Sequence, residues 1–133
     1  MRIAYACVLV AALLPYLWVL IAKRSGKRYD NRDPRGWLAR QDDPRVQRAH
    51  AAHLNAFEAF PAFAAGVLMA QLAGVDPIRI ATLALAFVVF RVLHGLCYLA
   101  GRATLRSLAW LGGFACVLAL MALAITRLAT SAA

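Results

Sequence analysis

The chain has 133 residues, of which 63% are hydrophobic, and its mean hydropathy is +0.66. A soluble domain of this size could not bury so large an apolar share, so the composition favours an integral membrane protein with a single domain, residues 1–133. The formal charge is +9, from 15 Lys and Arg against 6 Asp and Glu. These charges lie in clusters between apolar runs and no nucleic-acid-binding motif accompanies them, so nucleic acid is not expected as a partner.

Four apolar segments, each about 20 residues or longer, predict helices that cross the bilayer. Backbone polar groups in lipid must be satisfied within the segment, which selects helices over other structures. The predicted fold is therefore an all-α integral membrane bundle of four transmembrane helices, over about 3–22, 44–73, 77–100 and 105–129. A short turn separates the second and third, with Asp76 predicted as N-cap and Pro77 as the first helical residue.

Basic residues are concentrated on one side of the predicted bundle. The long connection is a predicted loop over about 23–43. Residues 23–48, which include this loop, hold nine Lys or Arg, and the third connection adds Arg102 and Arg106. The opposite side has only three: Arg2, Arg79 and Arg127. The positive-inside rule therefore predicts that the large basic loop is cytoplasmic and that both termini lie outside.

Polar side chains interrupt the second apolar segment within "RAHAAHLNAFEAFP". At 100° per residue, Arg48, Asn55 and Glu58 share one face of the helix, whereas His50 and His53 lie on a different side. Ionisable groups inside a membrane are costly and usually face a partner or a cavity. This face is therefore a candidate binding surface.

The third and fourth segments carry matching polar stripes. Arg91, His94 and Tyr98 are spaced three and four apart, and Arg106 and Trp110 are four apart, so each set lies on one helix face. Cationic donors together with aromatic rings suit a small anionic ligand that enters from the cytoplasmic side.

Depth predicts an ion pair between two of these residues. Glu58 lies about 13 residues into its helix and Arg91 about ten residues from the cytoplasmic end of the next, so both are expected near mid-membrane. Either charge alone would be costly there, so we expect Glu58 and Arg91 to pair. The pair is interpreted equally as a strut that fixes helix register or as an anchor for a ligand.

At these residues the sequence resembles the MAPEG family, the membrane-associated proteins in eicosanoid and glutathione metabolism, and its bacterial members in particular. The resemblance covers nearly the whole chain and is carried by "RAHAAHLNAFEAFP", "RVLHGLCYL" and "GRATLRSLAW". It implies a homotrimer of four-helix chains, in a bacterial inner membrane, that binds glutathione as a co-substrate between subunits. It also implies a glutathione-dependent transferase or peroxidase that acts on lipophilic electrophiles or hydroperoxides taken from the bilayer, without a metal.

The resemblance assigns roles to nine residues. Arg106 would hold the glutathione thiolate and is the candidate catalytic residue, since a nearby cation lowers the pKa of a thiol. His53 would contact the ligand from the adjoining chain. The other candidate glutathione-binding residues are Arg48, Asn55, Glu58, Arg91, His94, Tyr98 and Trp110.

Two departures from the family pattern leave a non-catalytic alternative open. Active mammalian members carry an arginine four residues before the asparagine, where this chain has Ala51. Trp110 stands where the family often has tyrosine, and an indole donates only through its N–H group. A MAPEG-like membrane scaffold or regulator without turnover is therefore the second hypothesis.

A haem or metal protein is the third hypothesis. His53 and His94 lie on adjacent helices, and four-helix bundles can hold haem between two histidines. His50 and His53, three apart, lack a further clear ligand for a metal. This hypothesis ranks below the other two.

Overall fold

The computed structural model describes residues 1–131, and the last two residues of the predicted domain lie outside this range. Every regular element in the described range is an α-helix, and four of the five helices are long. The helices are α1 (Arg2–Ser25), α2 (Pro34–Ala39), α3 (Pro44–Leu72), α4 (Pro77–Leu99) and α5 (Ala103–Ser131). The all-α bundle expected from the apolar segments is confirmed.

Three helices begin with the same dipeptide, Asp followed by Pro. Asp33, Asp43 and Asp76 are the N-caps of α2, α3 and α4, and each side chain accepts a hydrogen bond from a backbone N–H in the first turn. The proline that follows occupies the first helical position, where its missing N–H is not needed. The predicted roles of Asp76 and Pro77 are thus confirmed.

The basic connection is more ordered than the predicted loop over 23–43. α1 continues to Ser25, and α2 folds back so that the Trp37 side chain is 5% exposed. The Trp37 indole N–H lies 3.1 Å from the backbone oxygens of both Lys27 and Arg28, to which it donates. Burial of the Trp37 ring therefore holds the basic connection against the bundle.

α3 contacts the other three long helices, as α4 also does. Its Phe63 ring stacks on Phe87 of α4, with centroids 3.8 Å apart, and both rings are buried. The main apolar core surrounds this pair and draws on all four long helices. The core therefore lies toward the end of the bundle remote from the basic connection, and the polar residues of α3 lie nearer that connection.

Within residues 1–131, three helices are long and apolar enough to cross a membrane: Arg2–Ser25, Pro77–Leu99 and Ala103–Thr130. α3 is as long as α5, at 29 residues, but is not among them. Its charged and polar side chains lower its hydropathy, although it packs against all three apolar helices. The protein is therefore an integral membrane helical bundle in which the least apolar long helix contacts all three of the others.

Candidate functional site

A cavity of about 210 Å³ lies between α3, α4 and α5. Its polar side is formed by Asn55 and Glu58 of α3 and Arg91 of α4. Its apolar side is formed mainly by aromatic and aliphatic side chains: Ala59, Ala62, Phe87, Trp110, Phe114 and Val117. Four of the nine predicted site residues thus line one cavity with two chemically different walls.

The polar wall is a chain of hydrogen bonds that begins at a buried cation. Arg91 is 4% exposed, and its Nη2 donates to the backbone oxygen of Asn55 at 3.0 Å and to Asn55 Oδ1 at 2.8 Å. Asn55 Nδ2 in turn donates to Glu58 Oε2 at 3.2 Å. One asparagine therefore satisfies the guanidinium and orients the carboxylate.

The predicted direct ion pair between Glu58 and Arg91 is wrong. Among residues 1–131, the one side-chain ion pair joins Arg40 and Asp33. Asn55 lies one helical turn before Glu58 and offers two oxygens to Arg91, so the guanidinium bonds there and the exposed carboxylate of Glu58 faces the cavity. Charge is still balanced locally, because Asn55 links the cation to the anion.

A second group of predicted residues forms a stack that starts next to Arg91. The His94 ring is 3% exposed and packs edge-on against the Tyr98 ring, with centroids 5.0 Å apart. The Arg106 guanidinium lies over that same Tyr98 ring, 4.6 Å from its centroid. Tyr98 therefore positions the guanidinium of Arg106, the candidate catalytic residue, by a cation–π contact. Arg106 lies one helical turn before Trp110 on α5.

Arg48 lies close to the turn between α4 and α5. Its Nη1 is 3.1 Å from the position that a Cβ on Gly101 would occupy, and Gly101 has a left-handed φ of +67°. Arg48 Nε is buried and has no hydrogen-bond partner among residues 1–131. A glycine in this turn satisfies the backbone conformation and leaves room for the guanidinium.

His53 lies on the opposite side of α3 from the cavity. Its Nδ1 is 2.8 Å from the backbone oxygen of Pro15 in α1, and its ring packs against Phe57 at 5.1 Å. Within one chain the structure therefore does not bring His53 to the candidate site. The His53 and His94 rings have different partners, Phe57 and Tyr98 respectively.

No group of three or more His, Cys, Asp or Glu side chains placed to hold a metal ion occurs in the part of the chain that the structure describes.

The sequence comparison decides the family. The model of the MAPEG family matches residues 3–126, which include all five helices in whole or in large part. The chain belongs to the MAPEG family. No curated protein matches it in a sequence comparison. MAPEG proteins include glutathione-dependent transferases and peroxidases as well as non-catalytic members.

Apart from Trp110, the apolar wall of the cavity was missed from the sequence of this MAPEG protein. Trp110, Phe114 and Val117 are spaced four and three apart on α5, and the Trp110 and Phe114 rings stack with centroids 5.2 Å apart. Such a stripe is typical of any helix packed in a core, so spacing alone gave no reason to assign it to a cavity. Only its position opposite Asn55 and Arg91 distinguishes it.

Proposed function

We propose that this MAPEG protein is a membrane-bound, glutathione-dependent transferase or peroxidase that acts on lipophilic electrophiles or hydroperoxides. One observation carries the proposal. A buried arginine, Arg91, is held by Asn55 at the wall of a cavity that also presents the carboxylate of Glu58 and an apolar wall. Burial of a guanidinium in a membrane protein costs free energy, and such residues usually have a functional role. Binding of a charged ligand accounts for the buried Arg91 better than helix packing alone.

The chemistry of glutathione matches this arrangement. The tripeptide carries two carboxylates, one ammonium group and one thiol, so it needs cationic donors and an acceptor. Arg48 and Arg91 are the candidate partners of the carboxylates, and Glu58 is the candidate partner of the ammonium group. Phe114 and Val117 face the same space and would receive the apolar co-substrate.

Arg106 is the proposed catalytic residue. A guanidinium beside a thiol stabilises the thiolate, which is the nucleophilic form. In the transferase reaction the thiolate sulfur would form a bond to an electrophilic carbon of the co-substrate, and the bond from that carbon to its leaving group, or the C–O bond of an epoxide, would break and take the electron pair. In the peroxidase reaction it would attack the distal oxygen of a hydroperoxide and break the O–O bond, which gives a sulfenic acid and, after protonation, an alcohol. A second thiol would then displace water from the sulfenic acid to form the disulfide.

The size of the cavity supports a site shared between subunits. Ligand pockets usually measure about 300 to 1,000 Å³, whereas this cavity measures about 210 Å³ in one chain. Trp110, which lines the cavity, is 42% exposed, so the cavity is open beside this residue. We propose that a homotrimer completes it and that His53 contributes from the adjoining chain.

The test is calorimetry of the detergent-purified protein with glutathione, alongside the ultraviolet absorbance of the bound thiolate. Glu58→Gln should weaken binding by about tenfold, the effect of losing one charge-assisted hydrogen bond. Arg106→Ala should abolish the thiolate signal while glutathione still binds. Arg102→Ala is the matched control, because Arg102 is an exposed arginine directly before the same helix. Absence of a heat of binding in every detergent would reject the proposal.

A non-catalytic MAPEG regulator is the second candidate, and Ala51 favours it. This position lies on the face of α3 that carries Arg48 and Asn55, where active mammalian relatives are expected to have a further arginine. A protein that binds glutathione but conjugates no model electrophile and reduces no hydroperoxide would support this candidate over the enzyme.

We propose further that the protein resides in a bacterial inner membrane with α2 on the cytoplasmic side. The charge asymmetry supports this orientation, since the stretch 23–48 carries nine Lys or Arg. Glutathione is then available at the end of the bundle where Arg48 and Arg106 lie.

A further inference from the structure

A second cavity, of about 490 Å³, lies between the start of α4 and the end of α5, at the end of the bundle remote from the basic connection. Its volume is in the range of ordinary ligand pockets. Arg79 and Arg127 line it, together with one acid, two threonines and apolar groups. These other lining residues are Gly74, Val75, Asp76, Leu123, Thr126 and Thr130. None of them is used by the proposed reaction.

The second cavity lies on a different side of the bundle from the faces that the proposed homotrimer joins. Those faces are the side of α1 and α3 that carries His53 and the opening beside Trp110 on α5. Within residues 1–131, no residue of α1 or α3 lines the second cavity. On α5, Val117 of the first cavity and Thr130 of the second are 13 residues apart, which places them about 140° apart around the helix. The second cavity therefore faces lipid in the trimer as well as in one chain.

The two arginines give the second cavity cationic donors that are not yet paired. Arg79 and Arg127 are exposed, and within residues 1–131 neither guanidinium has a hydrogen bond or an ion pair. Together with Arg2 they are the three Lys or Arg residues on this side of the bundle. Two of the three cations thus line one cavity, from neighbouring helices. Guanidinium groups suit a phosphate, whose oxygens accept several N–H donors at once.

Hydrogen-bond acceptors line the same cavity. Asp76 Oδ1 accepts from the backbone N–H of Ile78 at 3.4 Å, which leaves the second carboxylate oxygen without a partner in the described range 1–131. The hydroxyl groups of Thr126 and Thr130 donate to backbone oxygens of their own helix, at 3.1 and 2.9 Å. Their oxygens are therefore left as acceptors. The cavity thus offers two cationic donors and three acceptor side chains to one ligand.

One wall of the second cavity is a well-anchored turn. Gly74 has a left-handed φ of +73°, which lets the chain turn directly after α3. Val75 is 7% exposed and belongs to the main apolar core, and its backbone N–H donates to the backbone oxygen of Ala70 at 3.0 Å. Asp76 follows as the N-cap of α4. The carboxylate is therefore held at the start of α4, one helical turn before Arg79.

Polarity changes with depth along both helices that form the cavity. Arg79 and Arg127 lie near the ends of α4 and α5 at this side of the membrane. Four residues further into the bundle lie Leu83 of α4 and Leu123 of α5, about 6 Å deeper. Both leucines are partly buried and pack against the main apolar core. The cavity is thus polar at the level of lipid headgroups and apolar where acyl chains begin.

We propose that the second cavity binds the headgroup of one phosphatidylethanolamine from the leaflet opposite the basic connection. Arg79 and Arg127 donate to the phosphate, and the primary ammonium group donates to Asp76 and to the threonine hydroxyl oxygens. The headgroup matches the cavity because it carries both an anion and a cation with N–H donors. The bound lipid bridges the start of α4 and the end of α5, and its binding does not require glutathione.

The experiment is native mass spectrometry of the full-length protein in detergent without glutathione, titrated with dioleoyl phospholipids that differ only in the headgroup. We expect one tightly retained phosphatidylethanolamine per chain, bound at least about tenfold more tightly than phosphatidylcholine, which carries the same charges but no N–H donor. It should also bind more tightly than phosphatidylglycerol, which has no cation for Asp76. Retention of either other lipid as strong as that of phosphatidylethanolamine would overturn the proposal. Free glycerophosphoethanolamine should not compete, and full competition would show a site for a soluble compound and overturn it as well.

Matched arginine variants separate a site from diffuse attraction. Arg79→Gln and Arg127→Gln should each lose about tenfold in phosphatidylethanolamine affinity, the effect of losing one charge-assisted contact to the phosphate. Arg2→Gln removes one cation from the same side of the bundle, outside the cavity lining, and should change the affinity less than about twofold. Equal losses in all three variants would show diffuse electrostatics and overturn the proposal.

An isosteric variant tests the contact to the ammonium group. Asp76→Asn keeps a side chain that caps α4 well but removes the negative charge, so it should abolish the preference for phosphatidylethanolamine over phosphatidylglycerol. Circular dichroism and gel-filtration volume check the fold of every variant. An unchanged preference in a folded Asp76→Asn protein would refute the proposed headgroup orientation and with it the choice of lipid.

Discussion

The contact between Gly95 of α4 and Trp18 of α1 offers a quantitative test of how the helices pack. A Cβ added at Gly95 would lie 2.2 Å from Trp18 Cζ2, with two further indole atoms within 2.7 Å. An ordinary contact needs 3.4 Å or more, so the indole would have to move by about 1.2 Å. Trp18 is 3% exposed and has little space into which it can move.

We expect Gly95→Ala to destabilise the protein by about 2 kcal/mol. Overpacking a filled core costs about 1 to 3 kcal/mol, and the close indole contacts place this site at the upper end. Replacing glycine by alanine within a helix returns about 1 kcal/mol. Gly66→Ala is the control, because its Cβ would lie 3.4 Å from Leu120 Cβ, an ordinary contact, and the variant should be as stable as the wild type or more so.

The assay is reversible unfolding in mixed micelles of increasing SDS content, followed by circular dichroism so that loss of a tryptophan does not affect the signal. Trp18→Leu should make room for the new methyl group, so the double variant Gly95→Ala/Trp18→Leu should be at least about 1 kcal/mol more stable than the sum of the two single effects. A Gly95→Ala protein as stable as the wild type, or a cost that Trp18→Leu leaves unchanged, would refute the reasoning.

Three further predictions concern the hydrogen-bonded cation, the basic connection and the topology. Asn55→Leu should cost about 2 to 3 kcal/mol, because Arg91 loses a buried acceptor, and adding Arg91→Met should recover part of that loss in the same unfolding assay. Trp37→Ala should release the connection, so that trypsin cleaves after Lys27 at least about tenfold faster than in the wild type, whereas equal rates would contradict its anchoring role. In a variant without native cysteines, Asn31→Cys should react with a membrane-impermeant maleimide only after the inner membrane is opened, and labelling in intact spheroplasts would reverse the proposed topology.

The sequence predicted the bundle well because its apolar runs and helix starts are local signals. Asp76 and Pro77 mark the start of α4 as expected. The same Asp-Pro signal at Asp33 and Pro34 was present in the basic connection, where it starts α2. It was overlooked because a six-residue helix has no apolar periodicity, and only the burial of Trp37 makes it stable.

The candidate site was harder to predict because it depends on how far side chains reach. Helical spacing placed Asn55 and Glu58 correctly on one face, and depth placed Arg91 opposite that face. Depth arithmetic locates Cα atoms to within a turn, and the flexible arginine side chain spans such a distance. The Arg91 guanidinium therefore donates to Asn55, which offers two acceptor oxygens, and does not form the expected ion pair with Glu58.

The polar character of α3 has a consequence for the biogenesis of the protein. An arginine at the centre of a transmembrane helix costs about 2.5 to 3.5 kcal/mol during translocon-mediated insertion, and Arg91 in α4 has its acceptors on α3. The turn between the two helices spans only residues 73–76. We therefore expect α3 and α4 to partition from the translocon as one helical hairpin. A chain from which α3 is deleted should fail to integrate α4 and be cleared by membrane proteases.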